Sequence, residues 1–262
     1  MIIIPISMKY KESDLILSLE NRIPFYYVSL NGQPKFYTLA SMFLESAAIH
    51  AAQFGFGYDD MIRDKAYWVL SRFHIKMHCY PMMGETVKIE TWPKGASKLF
   101  FLRDYRMYSE SKQLLASAST AWLILDGNTG RPKKIDAESD LVDFHVKSLH
   151  AIETVPGKLP GIQEPDRRIP MLAQYSDLDF NQHVNAIKYI EWIQDCYGEE
   201  TYRSENVKEF QINYQLETRY GEEVDIRIKN RSLKDAFDYF EGIRTLDQNA
   251  AFRAKIKFEE YN

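Results

Sequence analysis

The sequence predicts an α+β protein in which one unit, a helix followed by antiparallel strands, occurs twice. Residues 72–89 align without a gap on residues 209–226, at a constant offset of 137. In both copies, apolar and polar residues alternate up to a Gly-Glu pair and again after it, which is typical of two half-buried strands joined by a turn. A helical stretch precedes each copy, at residues 39–53 and at residues 184–197.

Two such units predict two sheets, each wrapped around its own helix and paired edge to edge, so that no central edge is exposed. This arrangement is the double hot-dog. We expect an N-terminal repeat at residues 1–130, a connector rich in Pro and Gly at residues 131–166, and a C-terminal repeat at residues 167–262. Aligning the two helices at an offset of 146 gives the first copy about nine extra residues, in the Gly-rich segment 54–60. We expect that insertion to form a loop.

The composition restricts the function. The chain has 262 residues, of which 45% are hydrophobic and 27% are charged, as in a globular protein with a sizeable core. A net charge of −4 does not suit a general nucleic-acid binder.

Cys79 and Cys196 lack CxxC spacing, so we expect no disulfide framework, structural metal or cofactor. No segment approaches the roughly 18 apolar residues of a membrane span, and residues 1–7 are too short for a signal sequence, so we expect a reducing, cytoplasmic location.

The densest polar cluster lies at the start of the second helix, where Asp179, Asn181 and His183 alternate. If this approach to the helix is extended, the three side chains point to one side, next to free backbone N–H groups that can bind negative charge. A thioester hydrolase needs such a base and such oxyanion donors. The simpler interpretation is that Asp179 or Asn181 only caps the helix and that His183 is structural.

The whole run closely resembles the signature of the plant-type and bacterial acyl-acyl carrier protein thioesterases. Residues 179–189 read Asp-Phe-Asn-Gln-His-Val-Asn-Ala-Ile-Lys-Tyr and depart from that signature only at Ala186. The resemblance extends over roughly residues 20–225 and includes further segments in the family's order, namely residues 68–72, Tyr80-Pro81, Gly84-Glu85, residues 90–92, Arg103-Asp104 and residues 118–122.

The resemblance implies a catalytic group of Asp179, Asn181, His183 and Glu217. Glu217 and His183 would position or deprotonate a water molecule, and which of them is the base stays open. Asn181 would hold His183 or the carbonyl oxygen, and Asp179 would orient the group. The family has a cysteine where this chain has Thr218, which favours direct attack by water. Strict alternation puts Glu217 on the polar face of its strand, so contact with His183 requires a bulge or a strand end.

The first copy lacks the Asp-Asn-His set, and the helix alignment puts Tyr37 opposite His183. In line with the resemblance, we expect this copy to house the acyl chain, although an ordinary core explains each residue equally well. The candidate pocket residues are Met42, Leu44, Ala47, Ala48, Trp68 and Trp122. The candidate contacts for an acidic carrier protein are Arg131, Lys133, Lys134, Arg167 and Arg168.

We therefore expect a thioesterase that hydrolyses a fatty acyl chain from the 4′-phosphopantetheine group of acyl carrier protein and releases free fatty acid. One alternative is an acyl-coenzyme A thioesterase, and another is a dehydratase acting on a 3-hydroxyacyl chain. A third is a non-catalytic acyl-binding or regulatory protein of the same fold, which has no need for the Asp-Asn-His set. The sequence leaves a homodimer, the preferred chain length and the choice of carrier open.

Overall fold

A computed structural model describes residues 11–133 and 144–261. The helices are α1 (Phe36–Gln53), α2 (Tyr58–Arg63), α3 (Ala186–Asp195) and α4 (Glu199–Ser204). The strands of the first half are β1 (Leu17–Arg22), β2 (Ala66–Met77), β3 (Thr86–Ser97), β4 (Phe100–Ser109) and β5 (Leu114–Asp126). Those of the second half are β6 (Arg167–Leu172), β7 (Glu205–Tyr214), β8 (Glu223–Lys229), β9 (Asp238–Arg244) and β10 (Ala250–Glu260). Within the described ranges, no helix has the length and apolar character needed to cross a membrane.

All ten strands form one antiparallel sheet in the order β1-β3-β4-β5-β2-β7-β10-β9-β8-β6. The order within the first half is repeated in mirror image by the second half, and the two halves meet at β2 and β7. There Phe73 pairs with Ile212 and Ile75 pairs with Phe210. The predicted fold class is confirmed, because the two repeats pair edge to edge through the strands whose sequences align best.

The two long helices and one face of the sheet enclose a shared core. On α1, the ring of Phe43 lies 6.5 Å from that of Phe73 and 5.4 Å from that of Tyr105, measured between centroids. Phe36 of the same helix contacts Phe210 of the second repeat at 5.3 Å. Because apolar contacts cross the boundary between the repeats, burial of this surface stabilises both halves together.

The connector lies against the other face of the two central strands. The side chains of Gln211 and Asn213 both donate to the carbonyl of Gly157, at 2.7 and 3.1 Å. The Asn213 side chain also accepts from the backbone N–H of Leu159, and Arg72 donates to the carbonyl of Pro156. The polar residues that alternate along the central strands therefore bind the backbone that covers them, which satisfies groups that would otherwise be buried without partners.

The Gly-rich segment was expected to be a loop, but part of it is a helix. Gly57 precedes α2, and its N–H donates to the Asp60 carboxylate at 3.0 Å, which caps the helix. A Cβ atom at Gly57 would lie 2.9 Å from Cα of Ala52, so only glycine allows α2 to fold back so closely onto the end of α1. The edge strands β1 and β6 were not predicted either.

Candidate active site

A tight turn leads into α3 and carries three of the four candidate catalytic residues. One Asp179 carboxylate oxygen accepts hydrogen bonds from the N–H of Asn181 at 2.8 Å and from the N–H of His183 at 3.4 Å. Gln182 has a φ of +64°, and its N–H bonds to the carbonyl of Asp179. The expectation of an extended approach is therefore wrong, because the carboxylate of Asp179 holds the chain in a turn.

Glu217 lies just beyond the end of β7. The strand stops at Tyr214, and the next two N–H groups, of Gln215 and Leu216, both point to the carbonyl of Ala251 at 2.8 and 3.2 Å. This irregularity takes the chain out of the ladder. The orientation of the Glu217 side chain is therefore not fixed by the alternation along the strand. The sequence analysis required either a bulge or a strand end for Glu217 to contact His183, and the structure has the strand end.

Backbone pairing then brings the turn and the end of β7 together. The N–H of Val184 donates to the carbonyl of Thr218 at 2.8 Å, and His183 forms an antiparallel bridge with Arg219. In this arrangement His183 Nε2 lies 3.1 Å from Glu217 Oε2. The side chain of His183 is 24% exposed and that of Glu217 is 54% exposed, so water reaches the pair.

The start of α3 offers fewer free amides than expected. The side-chain oxygen of Asn185 accepts a hydrogen bond from the N–H of Ile187 at 2.9 Å, and the backbone carbonyl of Asn185 accepts one from the N–H of Lys188 at 2.9 Å. Two of the first three helical N–H groups are thus engaged, which leaves that of Ala186. The cap of the helix therefore reduces the number of N–H donors that were expected to bind an anion at the start of α3.

The first copy has the same turn at an offset of 150, with a bridge between Val28 and Pro34 that matches the one between Leu178 and Val184. The counterpart of His183 is therefore Gln33, and the expectation of Tyr37 is wrong. Helix patterns repeat every turn, so aligning helices alone allowed a shift of four residues. The offset falls from 150 before the helix to 137 after it, so the first copy has 13 additional residues there rather than about nine.

The counterpart of Glu217 in the first copy is Tyr80. Its hydroxyl donates to the carbonyl of Val207 at 2.9 Å. The carbonyl oxygen of the Asn31 side chain accepts from the N–H of Gln33 at 3.1 Å, and its amide group donates to the oxygen of the Gln33 side chain at 3.0 Å. The first copy therefore has neither an imidazole nor a carboxylate at these positions.

A cavity of about 370 Å³ lies in the first repeat, between α1, α2 and the strands from β2 to β5. Its lining includes Leu44, Ala47, Ala48, Trp68 and Trp122, five of the six residues proposed from the sequence. Leu44, Ala47 and Ala48 share one face of α1 because they are three or four residues apart. Met42 does not line the cavity; it lies off that face and packs against the main core instead.

The cavity extends to the turn of the second repeat. Phe180 and Asn181 line it, and the ring of Phe180 contacts that of Tyr58 from α2 at a centroid distance of 4.7 Å. The cavity thus ends two residues before His183. The apolar space of the first repeat therefore reaches the turn of the second repeat that also carries His183.

Arg103 is the one charged side chain that lines the cavity in the described ranges. One of its terminal nitrogens, Nη1, donates to Nδ1 of His50 at 2.8 Å and to the hydroxyl of Thr91 at 3.2 Å. Burial, together with the smaller effect of the nearby Arg103 charge, lowers the pKa of His50 to about 3. His50 is therefore neutral near pH 7, and its Nδ1 is available as an acceptor.

Acid is expected to weaken the fold through His50. The unfolded chain binds a proton on this residue below its ordinary pKa of about 6.5, whereas the folded protein does not until about pH 3. This stability is complete above pH 6.5 and is lost as the pH falls, by about 1.4 kcal/mol per pH unit. Urea unfolding at several pH values should show a smaller loss for His50→Asn, and an equal loss would contradict this. His150→Asn, at an exposed position, is the matched control.

Cys196 is buried at the end of α3, and its thiol donates to the carbonyl of Trp192 at 3.2 Å. Burial raises the pKa of this thiol to about 12. Because the thiolate is the reactive form, Cys196 is not a candidate nucleophile. Direct attack by water, which the sequence favoured, stays a prediction.

The basic candidates for carrier binding are all exposed or half-buried, except that Lys134 lies outside the described residues. Arg168 forms an ion pair with Asp225 at 3.3 Å, and Lys133 lies 4.0 Å from Asp126. Arg167 and Arg168 begin β6, at the end of this edge strand that is farther from the site. Arg219, which the sequence reasoning did not single out, is exposed next to His183, and its guanidinium has no ion pair in the described chain.

The fold and the site together define a double hot-dog protein with a His-Glu pair in the second repeat and an apolar cavity that reaches the turn before that pair. Two family models match the chain, the acyl-ACP thioesterase N-terminal domain at residues 17–141 and the acyl-ACP thioesterase C-terminal domain at residues 164–260. This chain belongs to the acyl-ACP thioesterase family, and the resemblance noted in the sequence is confirmed.

Individual relatives and solved structures that are similar to this chain agree with the family assignment. Oleoyl-acyl carrier protein thioesterase 1 of Arabidopsis thaliana is 25% identical over 234 residues, which cover 83% of this chain and 63% of that protein. The chain thus spans less than two thirds of the length of this curated relative. An acyl-ACP thioesterase structure from Bacteroides thetaiotaomicron matches with a TM-score of 0.85 and 26% identity, over 95% of this chain and 100% of that one. The 12:0-ACP thioesterase of Umbellularia californica, at 19% identity, covers 94% and 98% with a TM-score of 0.82 and supports the fold alone.

Proposed function

We propose that this protein hydrolyses fatty acyl thioesters carried on the phosphopantetheine arm of acyl carrier protein. The contact of 3.1 Å between His183 Nε2 and Glu217 Oε2, next to a cavity lined by apolar side chains, is the observation that supports the proposal most strongly. The acyl chain lies in the cavity of the first repeat. Its thioester lies at the turn of the second repeat, beside Asn181.

In the proposed reaction, a water oxygen attacks the thioester carbonyl carbon while a proton passes to the His183-Glu217 pair. In this proposal, the side chain of Asn181, a residue that lines the cavity, and the N–H of Ala186, which the helix cap leaves free, stabilise the oxyanion. The tetrahedral intermediate then collapses, the carbon–sulfur bond breaks, and the thiolate takes the proton back. The products are a free fatty acid and the carrier thiol, and no further reactant is required.

Turnover of purified protein on a panel of acyl-carrier substrates tests this function, with mass analysis of the products. Release of free acid supports it, whereas an enoyl product would indicate a dehydratase and unchanged ligand would indicate a binding protein. The same acyl chain on coenzyme A provides the comparison of carriers. We also propose a reducing, cytoplasmic site of action, which is supported by the two free cysteines, Cys79 and Cys196.

We further propose that Arg219 is the main cationic contact for the acidic carrier protein and that Arg167 and Arg168 contribute less. Arg219 pairs through its backbone with His183. Arg167 lies five strand residues, about 17 Å, from Leu172, the end of β6 that is closer to the site. The ion pair of Arg168 with Asp225 also reduces its free charge.

Charge reversal tests whether Arg219 contributes more to carrier binding than Arg167 and Arg168 do. Arg219→Glu is expected to lower kcat/KM on the carrier-linked substrate by about tenfold, because like charges now oppose the encounter. The double reversal of Arg167 and Arg168 is expected to have a smaller effect. Turnover of a short soluble thioester serves as the control, since it needs no protein docking. Equal losses on both substrates, or a larger loss for the double reversal, would contradict the proposal.

A further inference from the structure

The segment that carries Glu217 is held by an arginine from a strand that is not its neighbour. Arg244 is the last residue of β9, and one of its terminal nitrogens, Nη1, donates to the backbone carbonyl of Glu217 at 2.6 Å. In the sheet, β10 lies between β9 and β7. The side chain of Arg244 therefore reaches past the start of β10, to the point where the chain has already left the ladder of β7.

A carboxylate in the turn after β9 binds the other donors of Arg244. Nε donates to Oδ1 of Asp247 at 3.2 Å, and Nη2 donates to Oδ2 of the same side chain. Oδ1 of Asp247 also accepts from the N–H of Asn249 at 3.1 Å, so the carboxylate is itself fixed in the turn. The hydrogen bond from Arg244 is the main reason why the pKa of the Asp247 carboxyl lies well below its ordinary value. This ionised, two-bonded partner leaves the guanidinium little freedom and directs Nη1 at Glu217.

The carboxylate of Glu217 depends on such support. The ladder that would fix its orientation has ended, and its side chain is 54% exposed. An exposed side chain on irregular backbone has several conformations open to it, and few of them keep the contact with His183. Two hydrogen bonds hold this backbone from opposite sides. Val184 donates to the carbonyl of Thr218 from the turn before α3, and Arg244 donates to the carbonyl of Glu217 from β9.

The first repeat provides an internal comparison, because it has a tyrosine in place of the carboxylate. Val87 of β3 and Val224 of β8 correspond at the offset of 137, and they pair with Ser109 and Arg244. Ser109 is therefore the counterpart of Arg244. Its hydroxyl accepts from the N–H of Gln113 at 3.1 Å and so bonds within its own turn. The guanidinium thus occurs in the repeat that has a carboxylate to position.

We infer that Arg244 is a positioning residue that acts on the reaction through Glu217. It fixes the backbone of Glu217 so that the carboxylate stays within reach of His183, and Asp247 directs its guanidinium. This inference rests on the proposed thioesterase function and adds two residues to the site, neither of which lines the cavity. Because a small misplacement of a reacting group slows the chemistry, the loss of Arg244 should appear in kcat and leave KM nearly unchanged.

Arg244→Met tests the inference. It removes the hydrogen bond to the carbonyl of Glu217 and is expected to lower kcat on a carrier-linked substrate by about tenfold or more, the scale of one hydrogen bond from a charged group. In a Glu217→Ala background, the same change should have little further effect, because its action passes through the missing carboxylate. Arg244→Lys keeps the charge but cannot hold Asp247 and the carbonyl together, so it should restore kcat only in part.

Arg231→Met is the matched control. Arg231 donates to both carboxylate oxygens of Glu205, at 2.9 and 2.8 Å, and so anchors the other end of β7. Glu205 lies about 30 Å along the strand from Tyr214, where β7 ends. Arg231→Met should therefore lower the melting temperature and keep kcat. Asp247→Asn keeps Arg244 but weakens its fixed direction, so it should lower kcat by less than Arg244→Met does, and it provides the test if that variant fails to fold.

A measurement without substrate separates this inference from the proposed function. The nitrogen-15 resonance of His183 Nε2 senses the carboxylate oxygen that lies 3.1 Å away, so Glu217→Ala should shift it. Arg244→Met should shift it in the same direction, and Arg231→Met should leave it unchanged.

The outcomes are distinguishable. An unchanged His183 resonance in Arg244→Met would overturn the inference. So would an unchanged kcat, or a loss of kcat that is equally large in the Glu217→Ala background, and in either case the thioesterase function stands. If the unmodified protein hydrolyses no thioester, the proposed function fails, and the resonance then decides by itself whether Arg244 positions Glu217.

Discussion

Replacing His183 with alanine is expected to lower kcat by about a hundredfold or more on any acyl-carrier substrate, because the imidazole is one member of the proposed acid–base pair. Glu217→Ala should have an effect of similar size, since the two side chains touch at 3.1 Å. The double variant should lose little beyond the larger single loss, because residues that act as a unit are not additive. Single-turnover kinetics with carrier-linked substrate provides the measurement.

Glu217→Gln decides which residue is the base. If Glu217 only orients His183 through Nε2, an amide keeps a hydrogen bond and most of the activity. If Glu217 takes the proton from water, the amide should be as inactive as alanine. His150→Ala and Glu164→Gln remove the same groups from exposed positions and are the matched controls. Full activity in both His183→Ala and Glu217→Ala would remove the proposed mechanism.

Gly242→Ala is expected to destabilise the protein by about 3 kcal/mol, the upper range for overpacking of a core. A Cβ atom at this position of β9 would lie 2.2 Å from Cε1 of Phe252, whose ring is fully buried. That ring packs against Tyr189 of α3 at a centroid distance of 5.2 Å, so it has no free space to move into. Thermal unfolding should show a melting temperature that is lower by roughly 10 °C.

A second substitution distinguishes this steric cause from a general effect of losing glycine. Phe252→Leu alone leaves a cavity and costs stability. Combined with Gly242→Ala, it makes room for the methyl group, so the double variant should be more stable than the sum of the two single changes predicts. Gly157→Ala is the control, because nothing lies within 4 Å of a Cβ atom there. Strict additivity of the two changes would refute the steric explanation.

Local patterns were sufficient to predict the repeated architecture. The alternation around Phe73 and Phe210 identified β2 and β7, and these strands pair with each other at the centre of the sheet. Alternation identifies strands because one face of the sheet is buried along its whole length. The short edge strands β1 and β6 were missed, since each buries little surface and leaves a weak pattern. Helix α2 was missed because glycine, which usually indicates a loop, serves here to allow close packing.

The candidate site was predicted in part. The run from Asp179 to His183 is contiguous in the sequence, so its cluster was visible there, and the role of its residues in catalysis stays a prediction. Its local shape was not visible, because the turn depends on the Asp179 carboxylate and on a positive φ at Gln182.

The sequence by itself determined the duplication, the strands of the core and the family, because these follow from periodicity and from contiguous motifs. Only the tertiary structure decided that Glu217 contacts His183, that Gln33 rather than Tyr37 is the counterpart of His183, and that Met42 lies away from the cavity. Each of these depends on where a strand leaves its ladder or on which face of a helix meets a neighbour. Such relations arise from packing between segments that are far apart in the chain, and no local pattern encodes them.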